Sequence, residues 1–526
     1  MAAAEGFIDI VDYLLKNGSS LDEKDNDGDN CLLLASRFGN LEMVKWLHQH
    51  GCSLEERNDY KRDIVIASCF SGHLDIIQWA LEMGCSLQSK DLHGNTCILV
   101  AATLGHLSIV KWALNNGSSL NERTNDGNTP LLLASRQGKL DVVQWLLENG
   151  SSLDERNNFE ETCILLACSK GNLETVKWLH EQGCSLQEKD NYGSTCLLSA
   201  SGNDNITLIE WLLNNGSSYN EKDAYERTCL MISARNGCIE TFKWLYTSKY
   251  YKDDDRMMRN CFSFASRGGH LELVKWFYNN GYSLQGYDSS DSTVLLSAIY
   301  GGNIELVEWL VDHGCNLNEK TCYSEIPAIV YASKGGNIKM VEWLVDKGHS
   351  IKEKSKNNDS CLTQACISGN LELVKWLVDK GCDIDEEDGM GNSCVMLAIQ
   401  NERFEVVKWL IEKGCSLNGK NKNTLDTCMT LASCTGNLDI IKYLFDAGCS
   451  LDDKNQYGTC IINAARNKHV DAVLWMLSNG SSLDENEAAH IYYSSIKVNS
   501  CRDILIKNNM YDAIKDMFSK KSSNKR

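Results

Sequence analysis

The stretch Cys31-Leu-Leu-Leu-Ala-Ser-Arg-Phe-Gly-Asn-Leu-Glu-Met-Val-Lys-Trp46-Leu-His-Gln-His-Gly51 decides the fold. Leu41, Val44 and Leu47 recur at helical spacing with charges between them, so the run through Trp46 predicts a short amphipathic helix. Gly51, five residues past the indole, predicts a helix C-cap in the left-handed conformation, which other residues enter at a steric cost. The apolar run from Cys31 to Ser36 begins fifteen residues before Trp46 and predicts another short helix upstream.

The same pattern recurs in both directions along the chain. All thirteen tryptophans fall on one ladder: Trp46, Trp79, Trp112, Trp145, Trp178, Trp211, Trp244, Trp276, Trp309, Trp343, Trp376, Trp409 and, after one gap, Trp475. The step is constant from Trp46 to Trp244 and afterwards slips by one in either direction, as at Trp276 and Trp343. Tyr443 fills the gap and Tyr13 extends the ladder backwards, which makes fifteen copies. A glycine follows five residues after each aromatic, from Gly18 to Gly480, with Lys249 the only replacement. Thr96, Thr129, Thr162 and Thr195 stand just ahead of upstream helices, where a hydroxyl can cap free backbone N–H groups. Polar turns such as Glu23-Lys-Asp-Asn-Asp-Gly28 join the units. Each unit therefore reads as a turn followed by two antiparallel helices.

One copy carries a family signature. Asp126-Gly-Asn-Thr-Pro-Leu131, followed by Ala134 and Gly138, resembles the ankyrin repeat, and the resemblance runs from about Met1 to Leu483. It implies an all-α repeat solenoid and a protein-binding role without catalysis. The chain departs from the family pattern in two places. The proline kept at Pro130 is cysteine in most copies, and the histidine usual two residues later is apolar, as at Leu33 and Leu132. That second departure removes one partner of the family's Thr–His hydrogen-bond network. Since one repeat cannot bury its apolar face alone, stability has to come from stacking on neighbours. The indoles are expected in those interfaces, each hiding about 150–250 Å².

Composition narrows the function. Of the 526 residues 43% are hydrophobic and 23% charged, a globular balance. A net charge of −19 repels phosphate backbones and anionic lipid, so nucleic acid and membrane partners are not expected. Met1–Val11 lacks the basic start and apolar core of a signal peptide, and the expected compartment is cytoplasmic.

The array is irregular in three places. Ala2-Ala3-Ala4-Glu5-Gly6 aligns with Ala35 to Gly39, so the chain is expected to open inside a first helix, with residues 1–18 a partial repeat or cap. Regular repeats follow over 19–249, then an irregular turn over 250–260 with Asp253, Asp254 and Asp255, where an altered stacking angle is expected. Repeats resume over 261–483, with a degenerate C-terminal cap over 484–518 and a basic tail over 519–526.

The residues with the most chemical potential read as repeat positions. Ten of the twenty-four cysteines occupy the helix start (Cys31, Cys97, Cys163, Cys196, Cys229, Cys261, Cys361, Cys394, Cys428, Cys460) and seven follow the cap glycine (Cys52, Cys85, Cys184, Cys315, Cys382, Cys415, Cys449). Small buried hydrophobes account for them better than metal ligands or a thiol buffer. Gly414-Cys-Ser-Leu-Asn-Gly419-Lys420-Asn421 approaches a phosphate-binding loop, but Asn421 stands where Ser or Thr should hold magnesium and a helix precedes it. The eleven histidines include no His-Glu-x-x-His spacing. No cofactor, metal or catalytic residue is expected.

Two surface patterns remain. Tyr60, His93, Phe159, Tyr192 and Tyr225 share one position on the turn tips and would line one edge of the stack, either for a partner or each over its neighbouring turn. Leu34, Val100, Leu133, Leu166, Ile232, Phe264 and Tyr331 lie three residues into the first helix, either lining a binding trough or packing against the adjacent hairpin. The expected function is a non-enzymatic scaffold, monomeric, that binds a protein with basic patches through its concave helix face and turn tips. The alternative is a regulatory or substrate-recognition part of a larger enzyme or adaptor.

Overall fold

In a computed structural model, residues 1–248 and 255–481 are described. The degenerate cap, the basic tail and the acidic pair Asp253 and Asp254 lie outside the described residues, as does the stacking angle expected there. Among the described residues are 29 helices and one two-stranded hairpin, Lys454–Asn455 with Gly458–Thr459. The chain divides into two compact units, Met1–Asp254 and Asp255–Arg526. Each is an all-α stack of helix pairs. No described helix is long and apolar enough to cross a membrane.

A typical repeat pairs Pro130–Arg136 with Leu140–Glu148. Thr129 caps the first helix by accepting from the Leu132 N–H, and Pro130 sits at the first helical position, where its missing N–H costs nothing. The second helix ends at Gly150, whose φ is +108°. A Cβ on Gly150 would meet nothing within 4 Å, so backbone angle and not space keeps glycine there. Within each unit the first helices of successive repeats pack directly on one another, whereas the second helices touch over a shorter stretch. The first-helix row is thus the inner side.

The core is not where the indoles are. In Leu140–Glu148 the buried residues are Val142, Val143 and Leu146, and the same three positions are buried in repeat after repeat, as at Ile109, Val110 and Ala113. All thirteen tryptophans are only half-buried and Tyr13 is exposed, which corrects the expectation that each ring is wedged inside an interface. The ring sits on the flank of the helix, beside the buried face. There it packs sideways in several repeats, where a ring two positions after the ladder aromatic meets the next ring edge-on. His48 meets Trp79 at 5.7 Å, His180 meets Trp211 at 5.6 Å and Tyr278 meets Trp309 at 5.6 Å. One face of several indoles is covered from within its own helix end, by His50 at 3.8 Å on Trp46 and by the Lys347 ammonium at 5.1 Å on Trp343.

Polar groups register the stack. In five repeats the first-helix threonine donates to a carboxylate on the following turn: Thr293 to Glu319 and Thr427 to Asp453, both at 2.7 Å, with Thr96 to Glu122, Thr129 to Glu155 and Thr195 to Glu221 in the same pairing, whereas Thr162 and Glu188 do not close it. This clasp stands where the Thr–His network would be. Side-chain amides of Asn172, Asn205 and Asn370 reach back to the carbonyls of Arg136, Gly171 and Gly336 at 2.7–2.9 Å.

Two local expectations change. Residues 2–6 form turns, not helix, although Ala3 and Ala4 are buried. Residues 255–260, read as part of an irregular turn, belong to the helix Asp255–Arg267. Asp255 in its first turn offsets the positive end of the helix dipole.

Candidate partner-binding surfaces

Most turn tips are built by one Asx residue, with Thr124, Thr321 and Ser355 taking its place in three. The carboxylate Oδ1 of Asp190 accepts from the backbone N–H of Tyr192 at 2.9 Å and of Ser194 at 2.8 Å, and Asp223 does the same for Tyr225 and Arg227, both at 2.9 Å. Asn58, Asp91 and Asn157 hold Tyr60, His93 and Phe159 in the same way. Neighbouring tips are then joined through backbone. The Leu92 N–H donates to the Tyr60 carbonyl, Asn125 to His93, Asn191 to Phe159 and Ala224 to Tyr192, at 2.8–3.0 Å. The turn itself is fixed while the aromatic side chain projects.

All five tip residues proposed from the sequence are exposed, Tyr225 most among the aromatics at 64%. They do not form one continuous strip, because Asp126 occupies the tip between His93 and Phe159. Tyr192 and Tyr225 stack on each other at 6.4 Å, and guanidinium groups cover one side of two rings, Arg62 over Tyr60 at 4.8 Å and Arg227 over Tyr225 at 5.0 Å. In the second unit the same position holds Tyr323, Met390 and Tyr457, all exposed, which sequence reading missed. Each follows its ladder aromatic, Trp309, Trp376 or Tyr443, at the same offset as Tyr60 follows Trp46. Counting two residues on from the Asx or Thr that opens the turn, Thr321, Asp388 or Asn455, finds them.

The first-helix stripe is mostly packed away. Val100, Leu133, Leu166 and Tyr331 are buried, while Leu34, Ile232 and Phe264 are half-buried. The Tyr331 hydroxyl is tied to Ser292 at 2.5 Å. These side chains lie against neighbouring repeats.

The other candidate chemistry is absorbed by the stack. Gly414-to-Asn421 follows the helix Phe404–Glu412, and the Asn421 side-chain amide is buried, donating to Asn392 at 2.7 Å. Burial pushes the thiols of Cys238 and Cys382 up to about 11 and those of Cys361, Cys415 and Cys460 up to about 12, which leaves them protonated and unreactive near neutral pH. Among the described residues the one trio of potential metal ligands is Asp25, Asp27 and Asp29. Its carboxylates serve the turn, Asp25 accepting from the N–H groups of Asp27 and Asp29 and Asp29 accepting from Asn58. Two depressions of about 610 Å³ each are open clefts between successive repeats.

The family model described as ankyrin repeats in three copies matches residues 1–91, 64–157, 149–223, 230–321, 262–355, 329–421 and 416–487. Among solved structures, a crystal structure of the human ASB11 ankyrin repeat domain is similar at 23% identity, with a TM-score of 0.35, over 41% of this chain and 96% of that one. No curated protein sequence matches.

Proposed function

Since the chain belongs to the ankyrin-repeat family, whose repeats are generally modules for protein–protein interaction, we propose that it is a non-enzymatic, cytoplasmic scaffold that engages a protein partner along its turn tips. What carries this reading is the tip row. Tyr60, His93, Phe159, Tyr192 and Tyr225 project from turns whose backbone is already fixed by Asx side chains and by bonds to the next turn. Contact there orders little backbone, so more of the contact energy appears as affinity. Aromatic rings add large area with few torsions to freeze.

The partner in this reading carries basic patches, since a net charge of −19 accelerates encounter with a positive surface and slows it with a negative one. In the first unit the half-buried Leu34 and Ile232 on the first-helix row would form the floor of the contact, with the buried Val100, Leu133 and Leu166 supporting it from below, and Phe264 and Tyr331 hold the same position in the second unit.

The test is capture on immobilised full-length chain, run beside a Tyr192→Ala/Tyr225→Ala double variant at low and high ionic strength. The expected partner is held by the first, weakened at least about tenfold in the second and released by salt. Equal capture by both chains overturns the tip reading, and capture indifferent to salt overturns the basic-partner reading.

A further inference from the structure

Five repeats place one cysteine at the start of the first helix and another just after the second-helix cap glycine: Cys31/Cys52, Cys163/Cys184, Cys361/Cys382, Cys394/Cys415 and Cys428/Cys449. The fold brings such a pair together. The sulfurs are 3.8 Å apart in Cys31/Cys52 and 4.0 Å apart in Cys163/Cys184.

Among these pairs Cys382 and Cys449 are partly exposed, but the helix-start thiol is accessible only in the first pair. Cys163, Cys361, Cys394 and Cys428 are buried, as are the remaining helix-start cysteines, whereas Cys31 is partly exposed. The Cys31 side chain lines an open depression of about 280 Å³ beside the helix Ile8–Lys16. Cys52 stays buried on the other side of the pair.

We propose that Cys31 and Cys52 form a peroxide-responsive dithiol, in which Cys31 is the thiol attacked first and Cys52 resolves it to an intrachain disulfide. In the first step the Cys31 thiolate attacks one oxygen of hydrogen peroxide. The O–O bond breaks, the leaving hydroxide takes a proton to become water, and Cys31 becomes a sulfenic acid. In the second step the Cys52 sulfur, giving up its proton, attacks the Cys31 sulfur and displaces the hydroxyl as a second water. Two thiols and one peroxide thus yield one disulfide and two waters. The sulfurs must close from 3.8 Å to about 2.05 Å, a movement that side-chain rotation and the open depression can supply.

The acidity of the Cys31 thiol suits the first step. The hydrogen bond between the two sulfurs holds the Cys31 thiol below its usual range against the opposing effect of partial burial. The same hydrogen bond, together with burial, raises Cys52, and the part due to a neighbouring thiolate ends once Cys31 has become a sulfenic acid. Charge selects the oxidant. Glu23, Asp25 and Asp29 outnumber Lys24 in the lining of the depression, so an anionic disulfide such as oxidised glutathione is disfavoured while neutral peroxide is not.

The test uses the reduced full-length chain, exposed to near-stoichiometric hydrogen peroxide or to oxidised glutathione, alkylated at intervals and mapped by peptide mass under non-reducing conditions. The expected result with peroxide is a Cys31–Cys52 crosslinked peptide that accumulates at least about tenfold faster than a Cys163–Cys184 crosslink. In Cys52→Ser the expected product is one oxygen added at Cys31, trapped by a dimedone-type reagent. Equal rates for the two crosslinks, or no crosslink at Cys31, overturn the proposal in the unaltered chain. A glutathione adduct at Cys31 that forms faster than the peroxide crosslink overturns the choice of oxidant.

Discussion

At the scale of single residues the stack is registered by clasps that cross from one repeat to the next. The Thr129 hydroxyl accepts from the Leu132 N–H and donates to Glu155, whose other oxygen accepts from the Ser152 N–H. Thr129→Val is expected to cost about 1–2 kcal/mol, read from the urea midpoint of the full chain, because it removes a cap and a carboxylate partner together. Gly419 occupies the place of the carboxylate that would clasp Ser393, so the buried Ser393 hydroxyl has no hydrogen-bond partner. A Cβ at Gly419 would meet Met396 Sδ at 3.6 Å and Ser393 Oγ at 3.8 Å, ordinary contacts. Gly419→Glu is therefore expected to raise stability by about 0.5–1.5 kcal/mol in the same measurement. Leu425, exposed and held at φ +59°, is expected to gain about 1 kcal/mol as Leu425→Gly. A loss of stability would show that its side chain has a contact worth more than the strain. The threonines were legible as helix caps. Their carboxylate partners were not, since a spacing that crosses repeats acquires meaning only when the stack exists.

At the scale of the helix, spacing and phase turned out to be different kinds of information. The indole ladder gave the period and located each helix, with predicted starts such as Cys97, Cys163 and Cys361 matching the observed ones. It did not say which side of the helix faces inward. That is decided by Val142, Val143 and Leu146, which form a contiguous apolar face, while Trp145 lies at its border where a ring can shelter on one side only. Leu146→Ala is expected to cost about 2–5 kcal/mol and Trp145→Ala about 2 kcal/mol, compared by denaturant midpoint. A larger loss from the indole would restore it to the core.

At the scale of the whole molecule, each repeat contacts its neighbours along the stack, so damage should spread by nearest-neighbour coupling. Leu146→Ala is expected to lower hydrogen-exchange protection in its own helix pair and the two adjoining pairs, Cys97–Asn115 and Cys163–Glu181, while the helices of 304–446 keep theirs. Uniform loss along the chain would mean one cooperative globule. The fold was legible because period, cap glycine and turn chemistry agree. The tip row was read only in the first unit, although Tyr323, Met390 and Tyr457 stand at the same offset from Trp309, Trp376 and Tyr443 as Tyr60 does from Trp46, because polar Ser290, Asn357 and Asn423 at the intervening tips break the aromatic run. The irregular steps of the ladder have a visible cause. An ordinary turn closes from Asp91 N–H to the Asn95 carbonyl, but the lengthened steps before Trp343 and Tyr443 close from Thr321 to Ile326 and from Asn421 to Asp426. The shortened step before Trp475 folds into the tight hairpin at Lys454–Thr459. At the turns after Trp309 and Tyr443 the tip gains or loses one residue while the clasp beneath it, Thr293 to Glu319 or Thr427 to Asp453, stays closed. Genetic change by whole units would preserve every cross-repeat bond, and change by single residues would be tolerated only at that edge. Such a lineage could lengthen, shorten and diversify its outer rim while its interior spacing stayed under selection.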